Sequence, residues 1–308
     1  MARGSVMVTG LALGVAAGAL LGTYVLAPNV DGSEDRSAVV AAEQQRDDAE
    51  TRAEVADSVI DPSVIDGVLD GTPVLVLATA DAEATSEVRE SLNQAGAQDA
   101  GTVTLTEKFV SASDSDELKD LVTSALPAGT QLDVDRRDPG IQAGGALAPV
   151  FLLDDAGAEQ ASVADRRLLL TTLRDAGFID YEDGTLRPAA MIVLVAGAGV
   201  SPGDDPSYGG NLLADFADTL AHSDDGGPIV IATQPDSLRD GVAGAVSDLP
   251  VVPAVDTEAG RVAVIQQLVE LLERSGEAGD GDGDSEGDAE ATEQPAEDQP
   301  AEQQTTEE

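Results

Sequence analysis

Between residues 72 and 274 the chain alternates unbroken apolar runs of strand length with longer stretches of helical spacing. The runs are "PVLVLATA" (73–80), "GTVTLT" (101–106), "AAMIVLVAG" (189–197), "GPIVIAT" (227–233) and the short "PVVP", while "TQLDVD" predicts a short edge strand. Helical spacing falls in "SEVRESLNQAG", "DSDELKDLVTSAL", "ADRRLLLTTLRDAG", "GNLLADFADTLAH", "PDSLRDGVAGAV" and "TEAGRVAVIQQLVELLERS". Gly96 and Gly177 stand where a helix ends on a left-handed residue, Asp114 can cap the helix it precedes, and Pro127 closes that helix. Strands that are apolar throughout belong to a parallel sheet buried on both faces. The expected fold is therefore α/β over residues 67–274: a doubly wound, mostly parallel sheet, Rossmann-like or flavodoxin-like. "LNQAGAQDAGTVTL" and "LRDAGFIDYEDGTL" share a layout that leaves open two βα halves, 72–150 and 151–274.

The flanks differ from this body. Residues 5–27, "SVMVTGLALGVAAGALLGTYVLA", carry no charge. As a helix this run is about 34 Å long, enough to cross a hydrocarbon core of about 30 Å. Residues 1–28 are expected to form a transmembrane anchor. Arg3 before the run, and Asp31, Glu34 and Asp35 after it, put the body outside the cytoplasm. A cleaved signal peptide is the competing reading, with Val25 and Ala27 at −3 and −1, but Pro28 would then occupy +1, a poor fit. Gly10, Gly14, Gly18 and Gly22 recur every four residues, the small-residue spacing through which membrane helices pair. Residues 29–66 predict a helical stalk or weak coiled coil, broken by "DPSVIDG" at Pro62 and Gly67. Residues 275–308 hold no basic residue and no aliphatic larger than Ala, so a disordered acidic tail is expected.

Charge and composition narrow the function. Sixteen basic residues against 59 acidic ones leave a net charge of −43, which repels nucleic acid. With aromatics at 2% and no Trp, the core must be built from Val, Leu, Ile and Ala. The absence of Cys removes disulfides, zinc-thiolate sites and thiol nucleophiles together.

Ligands of doubly wound sheets bind beyond the carboxyl ends of the strands. Those ends carry Asp81, Glu107, Gly197, Thr233 and Gln234, the candidate cleft. The Gly-rich loop "GAGVSPGDDPSYGG" (197–210) lacks the Lys of a phosphate cradle, and Asp204 and Asp205 would repel phosphate. Asp81 can act as a nucleophile or metal ligand; its simpler role is to cap the following helix. His222, the one His, reads as a surface residue near a helix end. No catalytic motif emerges, no tightly bound cofactor is implied, and the chain is not expected to be an enzyme.

"LALGVAAGALLG", "GTVTLTEKFV" (101–110), "LPAGTQL" (126–132), "AGFIDY" (176–181) and "VDTEAGRVAVIQQL" (255–268) together resemble the actinobacterial MctB family of copper transport outer membrane proteins. The resemblance implies copper homeostasis, a transport or channel role, and an outer-membrane location, with copper as transported ion. The residues fit copper poorly: Cu(I) prefers thiolate and thioether and Cu(II) imidazole, and this chain offers Met1, Met7, Met191 and one His. Nor do the strands alternate as a membrane barrel requires. The expected partners are a lipid membrane, a second copy through the first helix, and an envelope protein. The alternative reading is an envelope scaffold or binding module with no copper role.

Overall fold

The structure, a computed structural model, describes residues 62–197, 207–234 and 242–280. Two compact units divide the chain, Met1–Leu272 and Glu273–Glu308, and the sheet lies in the first. The proposed anchor, its glycine ladder and nearly all of the stalk lie outside the described residues, as does the tail beyond Asp280. Pro62–Ile65, a single 3-10 turn, opens the described body.

Six strands form one sheet: β1 (Pro73–Thr79), β2 (Gln98–Leu105), β3 (Ile179–Tyr181), β4 (Met191–Ala196), β5 (Ile229–Thr233) and β6 (Val251–Val252), in the order β3-β2-β1-β4-β5-β6. All neighbours are parallel except β2 and β3. This is a doubly wound order, with a topological switch between β1 and β4. Every residue of β4 and β5 is buried, as their unbroken apolar sequences require. Met191 opens β4 within the core.

The helices are α1 (Thr85–Gln94), α2 (Ser115–Ser124), α3 (Pro139–Phe151), α4 (Val163–Asp175), α5 (Tyr208–His222), α6 (Val242–Ala245) and α7 (Glu258–Asp280). Alternate residues of a strand face opposite sides, so the sheet has two cores. Leu75, Leu77, Ile192, Leu194 and Ile231 face α2, α3, α4 and α5. Val74, Val76, Val193, Val195 and Val230 face α1 and α7. Gly96 and Gly177 follow α1 and α4 at φ of 82° and 81°, the left-handed ends expected of them.

One expectation is corrected and one helix is added. "TQLDVD" forms no strand; the antiparallel edge strand is Ile179–Tyr181 instead. Its direction follows from the path of the chain: α3 descends from the carboxyl edge of the sheet, α4 climbs back, and β3 must descend again. The added element is a helix that spacing did not predict. Asp138 to Phe151, "DPGIQAGGALAPVF", carries two prolines and three glycines, yet it supplies the most enclosed helix, α3. Its glycines work by contact. A Cβ on Gly144 would stand 2.7 Å from Thr219 Cβ and 2.8 Å from the Phe216 carbonyl oxygen, both on α5; one on Gly140 would overlap the Leu212 carbonyl. These two glycines, four apart, let α3 and α5 meet backbone to backbone. The helix propensity lost to glycine, about 1 kcal/mol each, is offset by the packing this approach allows. Phe109 meets Phe216 edge-on beside the crossing, with ring centroids 5.2 Å apart.

The crossing separates two neighbouring glycines. Gly144→Ala should destabilise the protein by about 1–3 kcal/mol. Gly145→Ala, whose new Cβ would meet chiefly the movable Leu132 Cδ2 at 3.2 Å, should be neutral or stabilising by up to about 1 kcal/mol. Urea melts of the two variants check this, and equal losses would refute the close-approach role of Gly144.

Candidate functional site

The switch between β1 and β4 gathers the best-ordered group at the carboxyl edge. Thr79 ends β1 and Gly197 follows β4. The Thr79 hydroxyl donates to Asp81 Oδ1 at 2.6 Å and accepts from the Gly197 N–H at 2.8 Å. One hydroxyl therefore ties the two central strand ends together. Thr79 is nearly enclosed, while Asp81 is exposed. A Cβ on Gly197 would overlap the Asp81 carboxylate, so only glycine admits this arrangement.

Asp81 does not cap the next helix. The residue at the N-cap of α1 is Ala84, and no side chain caps it there. The turn 80–84 is long enough to carry Asp81 off to Thr79. Asp114 stands at the N-cap of α2, but its carboxylate accepts from the hydroxyls of Ser111 and Ser113 instead of making a cap bond.

The other predicted residues are spread along the same edge. Register places Thr79, Ala196 and Thr233 in one row on the α3–α5 face, about 10 Å across two strand spacings. Thr233 is fully enclosed and its hydroxyl has no hydrogen-bond partner. Gln234 is half-buried beside it, and Glu107 is exposed two residues past β2. Lys108, next to Glu107, is held by the Ala176 carbonyl at 3.0 Å, by Glu117 at 2.8 Å and over the Phe178 ring at 4.4 Å. The loop between Gly197 and Ser207 lies outside the described residues.

His222 ends α5, which descends from this edge, so it sits at the opposite edge from Asp81. It is exposed, with Nδ1 3.1 Å from the Asp218 carboxylate, and pairs with no group at the switch. Among the described residues no three His, Cys, Asp or Glu side chains gather as a metal site. The arrangement can orient a ligand against the Asp81 carboxylate; among the described residues it pairs no nucleophile with a base. Thr79 escaped the sequence reading because its role depends on a residue 118 positions away. Asp215 on α5, packed against the start of α3, has its pKa raised, first by burial and then by the nearby Asp138 charge.

The family model described as "Copper transport outer membrane protein, MctB" matches residues 3–286. A protein named "Copper transporter MctB" from Mycobacterium leprae is 34% identical over 224 residues, covering 68% of this chain and 70% of that protein. Its namesake from Mycobacterium tuberculosis is 31% identical over 244 residues, covering 74% of this chain and 76% of that one.

Two outcomes test these local arrangements. Gly197→Ala should cost about 1–3 kcal/mol of stability, and adding Asp81→Ala should restore much of it, because the clash partner is gone; additive losses in thermal melts would disprove the contact. The raised pKa of Asp215 means that the folded state holds its proton more tightly than the unfolded one. Its contribution is complete below the unfolded pKa and is lost as pH rises through the folded value. Asp215→Asn should therefore raise the melting temperature at pH 7, with the gain shrinking toward pH 4. A gain independent of pH would refute it.

Proposed function

Because the chain belongs to the MctB family, we propose that it is a membrane-anchored, extracytoplasmic component of copper homeostasis, for which copper is cargo and not a held cofactor. One observation carries this reading. The family match begins at residue 3, so it takes in the uncharged run 5–27 together with the α/β body. The proposed anchor is residues 1–28, and pairing through Gly10, Gly14, Gly18 and Gly22 supplies the self-association that a single spanning helix needs to take part in a conduit. Among the described residues no helix is long and apolar enough to cross a membrane.

The donor set supports cargo over storage. With no Cys and one exposed His, and with Met191 enclosed in β4, the body presents no soft ligands to capture copper. The outer membrane is the location that the family description indicates, and Arg3 ahead of the run favours a body outside the cytoplasm. The second reading, an envelope binding module, draws on the ordered Thr79–Asp81–Gly197 group at the switch, a place where such folds hold ligands.

Deletion of the gene in its host should change cell copper content and lower growth under added copper. The full chain should restore both, and a version lacking residues 1–28 should restore neither. Wild-type copper content and growth in the deletion strain would refute the copper role and favour the binding module. Rescue by the shortened chain would refute the anchor.

A further inference from the structure

The face of the sheet that carries α1 and α7 is incompletely covered. Those helices shield β1, β4 and β5, and among the described residues no apolar side chain of that core lies over the outer part of β2 and β3. There Thr102, Thr104 and Asp180 face outward on the side opposite Val103, Leu105 and Ile179. They form part of a groove of about 610 Å³, walled by Arg89 of α1 and by the segment Glu182–Arg187. That volume lies within the range of small-molecule sites.

The groove is built rather than left over. One extra residue interrupts β2 between Asp99 and Thr102, opposite Val74 and Val76. Gly101 turns the bulge at φ 106°, and a Cβ there would press on Leu186 Cδ2 at 2.7 Å. Bulges of this kind re-aim side chains and cluster beside functional sites. Here the bulge fixes Asp99, whose carboxylate accepts from the Gly101 N–H at 2.8 Å and from Arg89 at 2.6 Å. Burial works against the Asp99 charge, but these bonds and the Arg89 and Arg187 charges outweigh it and hold the pKa below the usual range. Arg187 is pinned at both ends: its N–H donates to the Ala100 carbonyl at 2.9 Å and its guanidinium to the Asp99 carbonyl at 3.2 Å.

The lining chemistry eliminates most ligand classes. Two guanidiniums face three carboxylates, those of Asp99, Asp180 and Glu182, so an anion gains no net attraction. The carboxylates are not gathered as a metal site. Its apolar lining is limited to Tyr181 and the carbons of the threonines, little for a hydrophobic ligand. What remains is an alternation of N–H donors, carboxylate acceptors and threonine hydroxyls, which suits groups that both donate and accept. The Thr102 hydroxyl is buried without a partner, a cost to the free protein that a turn about χ1 toward the groove and a bound hydroxyl would remove. We propose that this groove binds an uncharged polyhydroxylated ligand, a saccharide chain, held by Arg89, Arg187, Thr102 and Thr104. The site lies at the edge of the sheet opposite Asp81 and is independent of the copper role.

Calorimetric titration of the full chain in lipid nanodiscs, with uncharged maltohexaose, cellohexaose, mannohexaose and chitohexaose, tests it. At least one should bind, with an affinity that salt leaves unchanged. Arg187→Ala should weaken that binding about fivefold or more. Thr102→Val should also weaken it while raising the melting temperature by a few degrees, because the partnerless hydroxyl is gone. A purely structural Thr102 would move stability alone. Arg167→Ala on α4 should leave binding as it was. Absence of binding by all four sugars at about 10 mM, or affinity untouched by both groove variants, would overturn the proposal. So would a preference for an anionic hexasaccharide that fades with salt. If Arg187→Ala fails to fold, Thr102→Val alone decides.

Discussion

The backbone contact between α3 and α5 through Gly140 and Gly144 governs the layout of the body. Side chains at those positions would push the two helices apart by a few ångströms, and the layer over β1, β4 and β5 would no longer close on Leu77, Leu194 and Ile231. With the helices in contact, α3 becomes a central post. It packs against α5 on one side and α2 on the other, and α4 follows on the same face. Among the described residues the short α6 joins α2, α3, α4 and α5 on that face, and α1 and α7 cover the other. The two faces are therefore unequal, and the deficit falls where β2 meets the short β3. A steric matter at two glycines thus decides where the sheet is dry and where it stays wet.

Much of this was legible in the chain. The unbroken apolar runs of β1, β4 and β5 announce a parallel sheet covered on both faces, and Gly96 and Gly177 mark helix ends. The helix α3 was not legible, since glycine and proline lower helix propensity and the sequence does not reveal that a neighbour's backbone will occupy the space a side chain leaves. β3 was hidden for a related reason: three residues are too few for a period to show, and their pairing with Val103–Leu105 is set by the path of α3 and α4. For the candidate cleft, strand ends predicted the edge but not its geometry. Asp81 was legible as a position; its tie to Gly197 through Thr79 exists only once β1 and β4 lie side by side.

The two edges of the sheet differ in kind. At the carboxyl edge the order rests on one hydroxyl shared by two strand ends, with the exposed Asp81 carboxylate beside it. Near the amino edge, the Gly101 bulge and the pinned Arg187 give a broad polar trough in which charge is nearly balanced. In a chain of net charge −43, such balance is unusual, since 59 acidic residues share 16 basic ones. Arginines are scarce enough that two in one trough, each tied to Asp99, mark a place where the general acidity has been locally cancelled. Uncharged ligands have most to gain from that cancellation, because salt and counterions compete weakly for such a surface.

The same scarcity bears on copper. A protein that stores a soft metal needs several thiolates, thioethers or imidazoles converging on one point, and affinity rises with each. A path that passes an ion onward has the opposite requirement: any site along it must release what it receives, so strong converging ligands would trap the cargo. A chain with no Cys, one His and Met191 enclosed in β4 brings few such donors to one point. Its carboxylates are hard ligands that attract cations as a diffuse field, raising their local concentration without fixing them. On the proposed reading, selectivity for copper is then not a property of one α/β body. It has to arise where several copies meet around the N-terminal helices, or in a partner that supplies the soft donors this chain lacks.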